Sequence, residues 1–396
     1  MELFYMTDKK KTVVLTIDDE QAVRAAFSDF LSGFGYKVIE AENGRDGLDQ
    51  FAVEKPDIVL VDLQMPVMSG FEVLEHLRDE APETPVVVIS GTNSIDDVVD
   101  AIHLGAWDYI IKPIQSLTVL NHVIEKAIDR AHLKKQNQIY QKNLEEAHDK
   151  MKYDLEMGRN IQMKLLPNNN TTIGDFAFKR QVLPSMYLSG DFVDYFNIGD
   201  GYIGLYMADV SGHGVPSALI TVFLKSFMDK HIENYHNHES DVILGPANLL
   251  EELNNELLNE GLERFITLFY GVINQNTNTL LYSNGGQYPY PILWQNSHSE
   301  ILPAADPPVG MIVDRKFHEF KIVLPDSFLL ALFSDGILEI LPQEHMKDKT
   351  KFLVALGHHN RKDFDEFYIN LNTLKTSLPD DIAILTVERG ASSGSA

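Results

Sequence analysis

The sequence predicts two unlike domains joined by a long helix: a doubly wound α/β domain on a five-stranded parallel sheet, then an α+β layered sandwich. Three observations carry this reading. Between Thr12 and Lys112 short apolar strands alternate with amphipathic stretches, the pattern of a parallel sheet covered on both faces. From Leu117 to Leu166 the only glycine is Gly158 and proline is absent, while charged and amide residues fill the intervals, which favours one continuous helix. Beyond Ile173 strands rich in Phe, Tyr, Val and Ile are separated by turn clusters such as "NQNTNT", "NGGQYPYP" and "ADPPVG", interrupted by helical stretches at 215–236 and 246–260. The expected boundaries are 12–130, a connector at 131–166, and 173–388.

In the first domain the strands are "TVVLTI", "KVIEA", "DIVLVD", "PVVVIS" and "DYIIK". Polar chemistry in such sheets gathers beyond the carboxyl ends of the strands, and Asp18, Asp19, Asp62, Ser90 and Lys112 occupy those ends. Carboxylates converging on one spot repel one another unless a cation neutralises them, and all-oxygen ligation suits Mg2+. Asp62 can then attack a phosphoryl group, with Mg2+ and Lys112 balancing charge and the Ser90 hydroxyl donating a hydrogen bond. Each acid alone reads as a solvated strand end; the whole set at consecutive strand ends does not.

The stretches "TIDDE", "VDLQMPVMSG", "VISGT" and "GAWDYIIKP" resemble, in this order, the receiver domain of two-component response regulators, over residues 12 to about 130. The resemblance implies Asp62 as phosphoacceptor, and Mg2+ held by Asp18, Asp19, Asp62 and the Gln64 carbonyl. It further implies Ser90 and Tyr109 as a switch pair, Lys112 before a cis Pro113, and a histidine kinase or small phosphodonor as partner. Core packing is a second reading of Tyr109.

In the connector, Tyr140, Leu144, Ala147 and Met151 follow a three-four spacing that resumes through Leu155, Ile161 and Leu165. Such a narrow apolar seam needs a cover. A parallel homodimeric coiled coil and packing on the chain's own domains are the two readings, with the dimer preferred. Gly158 interrupts the pattern as a candidate hinge.

Four carboxylates stand out in the last domain: Asp191 in "LSGDFVDYF", Asp209 in "ADVSGHG", Asp335 in "LFSDGILE" and Asp380 in "LPDDIAIL". Each sits at an apolar strand's end or beside a glycine, where a backbone carbonyl can join the carboxylate at a hard cation. Gly212 and Gly214 allow a sharp turn that leaves Asp209 free to face inward. Two cations bridged by Asp209 would acidify a shared water for in-line attack on a phosphate monoester. Asp335 with Gly336 also reads as an ordinary hairpin turn, and His213 as either a proton donor or a helix cap.

The motifs "SGDFVDYF", "ADVSGHG", "FITLFYG", "LFSDGILE" and "DDIAILTVER" resemble the PP2C-type serine/threonine phosphatases, particularly the bacterial branch related to SpoIIE, from about Arg180 to Glu388. The resemblance implies that Asp191, Asp209, Asp335 and Asp380 hold two Mn2+ or Mg2+ ions, with the Val210 carbonyl completing one shell. The substrate it implies is a phosphoprotein such as an anti-sigma-factor antagonist. Two departures bear on substrate recognition: Asn274 where the family often has an acid, and "NGGQ" at 284–287 where it has "NAGH". The connector "GRNIQMKLLP" and the run "PSMYLSGDFVDYF" are similar to the RssB family of sigma S regulators, adaptors that deliver sigma S to the ClpXP protease. Two functions of different class follow, a phosphorylation-controlled phosphatase and a phosphorylation-controlled adaptor.

Composition narrows the partners. With 33 basic against 58 acidic residues the net charge is −25, which repels phosphate backbones, so nucleic acid is not an expected partner. The absence of cysteine excludes disulfides and thiolate sites and suits a reducing cytoplasm. Apolar runs such as "FLLALF" fall far short of the roughly 20 residues that span a bilayer, so no membrane is expected either.

Overall fold

The computed structural model describes residues 12–91, 94–114, 116–212, 214–262, 264–295, 298–303, 306–357, 361–371 and 378–390. The chain divides into two compact units that meet between Asp149 and Lys150.

The first unit runs β1 (Val13–Ile17), α1 (Gln21–Gly33), β2 (Lys37–Ala41), α2 (Gly44–Glu54), β3 (Ile58–Val61), α3 (Gly70–Glu80), β4 (Val86–Ser90), α4 (Ile95–His103) and β5 (Asp108–Ile111), and enters α5 (Leu117–Leu165). The sheet order is β2-β1-β3-β4-β5 and every pairing is parallel. Alternate residues of each strand feed opposite faces. Leu15, Ile17, Val59, Val61, Val86 and Val88 pack with Val73, Leu74, Leu77 and Ala101 of α3 and α4. Val14, Ile58, Leu60, Val87 and Ile89 pack with Phe27 and Leu31 of α1 and with Leu120 and Ile124 of α5. Strands buried on both faces explain the near-continuous apolar runs. Ser69 opens α3 with a reciprocal cap in which its side chain and that of Glu72 satisfy each other's backbone amides.

Helix α5 is continuous over 49 residues. It runs through Gly158 without a break: the flanking residues are good helix formers, which outweigh the roughly 1 kcal/mol cost of a lone glycine. A Cβ at Gly158 would lie 3.5 Å from a Leu188 methyl group, an ordinary packing distance. Along the seam Tyr140, Leu144 and Met151 are exposed at 68%, 71% and 63%.

The second unit continues with β6 (Asn170–Ile173), β7 (Phe176–Leu183), β8 (Asp191–Gly199), β9 (Tyr202–Val210), α6 (Val215–His236), α7 (Pro246–Asn259), β10 (Ile266–Asn274), β11 (Thr279–Gly285), β12 (Ile292–Gln295), β13 (His298–Ile301), β14 (Phe320–Val323), β15 (Phe328–Phe333), α8 (Gly336–Ile340), α9 (Met346–Leu356), α10 (Arg361–Leu371) and β16 (Ile382–Arg389). Two antiparallel sheets form, ordered β14-β11-β10-β9-β8 and β13-β12-β15-β16-β7-β6. On β15, Phe328, Leu330 and Leu332 enter the large core that includes Phe192, Leu205 and Phe269 of the first of these sheets. Leu329, Ala331 and Phe333, on the opposite face, pack with Leu353, Leu356 and Phe364 of α9 and α10. Helices α6 and α7 contribute Leu224, Phe227, Leu250 and Leu253 to the large core. The result is the layered sandwich expected from the sequence.

Candidate functional sites

At the carboxyl end of the parallel sheet, β1, β3 and β5 deliver Asp18, Asp62 and Lys112 to one point. Lys112 Nζ lies 2.6 Å from an oxygen of Asp18 and 2.6 Å from one of Asp62. Burial pulls the Lys112 ammonium down, but hydrogen bonds and charge from Asp18 and Asp62 outweigh it and hold its pKa above the ordinary value. Asp18, Asp19 and Asp62 each offer a ligand oxygen within 4.8 Å of the others, a spacing one hard cation can bridge. The Gln64 amide nitrogen is 3.4 Å from the Asp62 carboxylate, so the chain after β3 curls around this point. Ser90 is fully buried at the end of β4, and half-buried Tyr109 packs against the core beside α3 and α4. The Lys112–Pro113 bond is cis.

The second site is assembled by both antiparallel sheets. Asp191 begins β8 and Asp209 closes β9, and the two are cross-strand partners. Asp335 follows β15 and Asp380 precedes β16, its hydrogen-bonded neighbour. Asp335 is the N-cap of α8, not the corner of a hairpin. A Cβ at Gly336 would collide with the Asp381 carbonyl, so glycine there lets the two acidic turns touch. After Asp209, Gly212 has φ +90° and lies against the Arg264 guanidinium, which donates to the Ser211 carbonyl over 3.0 Å. His213 lies outside the described residues.

The electrostatics follow from this packing. Burial first, then the charge of Asp209, push the Asp191 carboxyl well above the usual range. Asp209 is pushed up to about 7 by burial and by Asp335, Asp380 and Asp381. Asp335 is raised by burial and then by Asp380. One oxygen of Asp191 is buried without a hydrogen-bond partner, a donor set with room for a cation. Among the described residues the four acids do not form a group as close as that of Asp18, Asp19 and Asp62. The Val210 carbonyl is at the same end of β9, where a Cβ on Gly190 would stand 3.0 Å from it.

Sequence reasoning missed Asp381. Its carboxylate accepts from the Ser185 amide and hydroxyl at 2.6 and 2.8 Å and from the Gly190 amide at 2.8 Å. It thereby pins the loop before Asp191 to the strand that follows Asp380. The doubled acid in "LPDD" was its only signal. The two departures at Asn274 and Gln287 both make hydrogen bonds within the fold. Asn274 accepts from the Asn276 and Thr277 amides and builds a turn at the end of β10 opposite the acids. Gln287 is 1% exposed and donates to the Pro289 and Phe333 carbonyls.

These two sites define the class: a receiver domain followed by a PP2C-like domain. Residues 14–125 match the response regulator receiver domain, and residues 199–390 match the stage II sporulation protein E (SpoIIE) family, whose match begins after Asp191. Among individual proteins, the chain is similar to the Regulator of RpoS of Escherichia coli K12, 23% identical over 273 residues, 69% of this chain and 81% of that protein. The regulatory protein AtoC of the same organism is 36% identical over 123 residues, 31% of this chain and 26% of its own. Among solved structures, the SiaA-PP2C domain of Pseudomonas aeruginosa superposes with a TM-score of 0.50 and 21% identity, covering 62% of this chain and 98% of that domain. That likeness concerns the fold.

Among the described residues no helix is long and apolar enough to cross a membrane.

Proposed function

We propose that the chain is a cytoplasmic response regulator whose phosphorylation at Asp62 controls a metal-dependent serine/threonine protein phosphatase in sigma-factor signalling. The observation that carries this is the meeting of Asp191, Asp209, Asp335 and Asp380, with Asp209 pushed up to about 7 by burial and its acidic neighbours. Such a set is costly to keep empty and suited to divalent ions. Divalent ions would supply charge neutralisation for the phosphoryl group in the first site and an acidified water in the second. Mg2+ fits Asp18, Asp19, Asp62 and the Gln64 carbonyl; two Mn2+ or Mg2+ ions fit the four acids and the Val210 carbonyl.

In the receiver, an Asp62 oxygen attacks the phosphorus of a histidine kinase or small phosphodonor, and the donor's bond to phosphorus breaks. Lys112 balances the charge from 2.6 Å away, and Ser90 and Tyr109 respond to the new phosphate as a switch pair. In the second unit, Asp191 and Asp209 from one sheet and Asp335 and Asp380 from the other would hold the ions, which would supply an acidified water for attack on the phosphoserine phosphorus, with the seryl oxygen leaving. Asp381 keeps Asp191 in line by holding Gly190. The exposed seam of α5 fits a parallel homodimer.

The test is direct. Purified protein should hydrolyse an aryl phosphate and a phosphoserine protein with Mn2+, lose both activities in EDTA, and lose them in Asp209→Asn.

Similarity to the Regulator of RpoS across 69% of the chain favours a second reading, in which the last domain is a binding surface that presents sigma S to ClpXP. Wild type and Asp209→Asn equally inactive on every phosphoprotein, yet both retaining a sigma factor in a pull-down, would establish that reading instead.

A further inference from the structure

The strongest unassigned feature is Gln162, near the end of α5 and within the second unit. A glutamine on a helix that is otherwise charged and exposed over most of its length is expected to face water. Gln162 is 3% exposed, and its amide is engaged at every side. Its oxygen accepts from the Ser189 amide at 3.1 Å. Its nitrogen donates to the Ser189 carbonyl at 2.7 Å and to the Thr221 hydroxyl at 3.0 Å. The Thr221 hydroxyl donates its own hydrogen bond to the Ala218 carbonyl at 2.7 Å, so the network is balanced in donors and acceptors.

The partners give this clasp its meaning. Ser189 is two residues before Asp191, and its hydroxyl accepts from the Asp191 amide at 3.0 Å. Thr221 lies in α6, the helix that leaves the loop after Asp209. One side-chain amide therefore reads both backbone groups of the residue that orients Asp191 and one turn of the helix anchored beside Asp209. The next residue, Gly190, is held from the other side by Asp381. Gln162 and Asp381 are thus the two fixed points of the loop that aims Asp191.

We propose that Gln162 is a positioning residue for the metal-binding acids: through Ser189 and Thr221 it fixes the direction of Asp191 and so sets the affinity of the site for divalent ions. A glutamine suits this task because two bonds, one accepted from the N–H and one donated to the C=O of the same residue, fix the orientation of that residue as well as its distance. Leucine at this position would fill the same space and fix neither. Gln162 lies near the end of α5, which runs unbroken from Leu117 to Leu165, so its amide ties that end of the helix to Ser189 by hydrogen bonds. The proposal rests on the metal-dependent phosphatase reading, and its test separates the two.

Three variants grade the clasp: Gln162→Leu removes all three bonds, Gln162→Glu keeps only acceptance from the Ser189 amide, and Thr221→Val removes one donation. Near-UV circular dichroism establishes folding, and calorimetric titration with Mn2+, run in an Asp18→Asn, Asp19→Asn background that disables the cation site of the first unit, measures affinity without reference to turnover. Weakening should run Leu above Glu above Val, with the Mn2+ Kd of Gln162→Leu raised about tenfold, the scale seen when outer partners of metal ligands are lost. Amide exchange across 185–191 should accelerate in the same order while the β10–β11 hairpin stays protected. Unchanged Mn2+ affinity in a folded Gln162→Leu overturns the proposal, as does faster global exchange with no added effect at 185–191. If Gln162→Leu fails to fold, the Glu and Val variants decide by the same two readouts. If that background with Gln162 intact binds no Mn2+, the phosphatase reading is lost, and with it the claim on ion affinity; exchange at 185–191 then reports only whether Gln162 orders the loop.

Discussion

Asp191 and Asp209 face each other across β8 and β9 as cross-strand partners, and both carboxyls are held above their ordinary range by burial and by other acids. For Asp209 the folded value is about 7 against 3.8 for the free group. Between those pH values the folded protein keeps a proton that the unfolded chain has released, so this group's contribution to stability declines as pH rises from about 4 through 7. At about 1.4 kcal/mol per unit the loss in metal-free protein is on the order of 2–4 kcal/mol at pH 8. Asp209→Asn should therefore melt higher than wild type in EDTA at pH 8 and show little advantage at pH 4. Saturating Mn2+ should reverse the difference, since it stabilises only the chain that binds it. Equal melting at both pH values would remove the electrostatic account.

The receiver site makes a separable prediction. Lys112 bridges Asp18 and Asp62 at 2.6 Å on each side, so the nucleophile is already paired with the cation that balances its product. Acetyl phosphate with Mg2+ should add one phosphoryl group to wild type and none to Asp62→Ala, as read by intact mass at neutral pH. Lys112→Ala should still load but switch poorly, because an attacking oxygen remains while the charge partner is gone. Labelling of Asp62→Ala at the wild-type level would place the acceptor elsewhere.

The receiver was legible in the sequence because its chemistry depends on strand ends, which an apolar run announces: Asp62 after "DIVLV" needs no knowledge of tertiary structure. The strand-end positions of Asp191, Asp209, Asp335 and Asp380 in the second unit were legible for the same reason. What escaped is what only packing decides. Asp380 and Asp381 are adjacent and identical in type, yet Asp381 turns inward to hold Ser185 and Gly190. Gly158 looks like a break but lies inside α5, since one glycine does not end a helix whose neighbours favour it. Asp335 and Gly336 fit a hairpin by local propensity, and the following residues form α8 instead. Gln162 carried no signal of its role, because nothing in its neighbourhood says that a glutamine on a polar helix will meet Ser189.

The seam on α5 predicts association. Tyr140, Leu144 and Met151 are each more than 60% exposed, and an apolar stripe at three-four spacing gains most by meeting its own copy. Light scattering should return about twice the chain mass, and Leu144→Glu with Met151→Glu should return a monomer whose two units remain folded. A monomeric wild type, with and without phosphate on Asp62, would rule out the coiled coil.

Gln287 offers the sharpest contrast between a recognition role and a scaffold role. Its amide nitrogen donates to the carbonyls of Pro289 and Phe333, and its backbone is tied to the Asn284 side chain at 2.8 Å. Phe333 is two residues before Asp335, so the bond steadies the end of β15 from which that acid projects. Gln287→Leu fills the volume and leaves two buried carbonyls short of a donor, at about 1–3 kcal/mol each, offset in part because it also removes an amide oxygen that is buried without a partner. A loss of about 2–4 kcal/mol should appear as a melting point lower by roughly 5–15 °C for a unit of this size. Below that melting point, the KM for an aryl phosphate should match wild type, because the side chain is 1% exposed and meets no substrate. A KM raised severalfold with the melting point unchanged would return this position to substrate recognition.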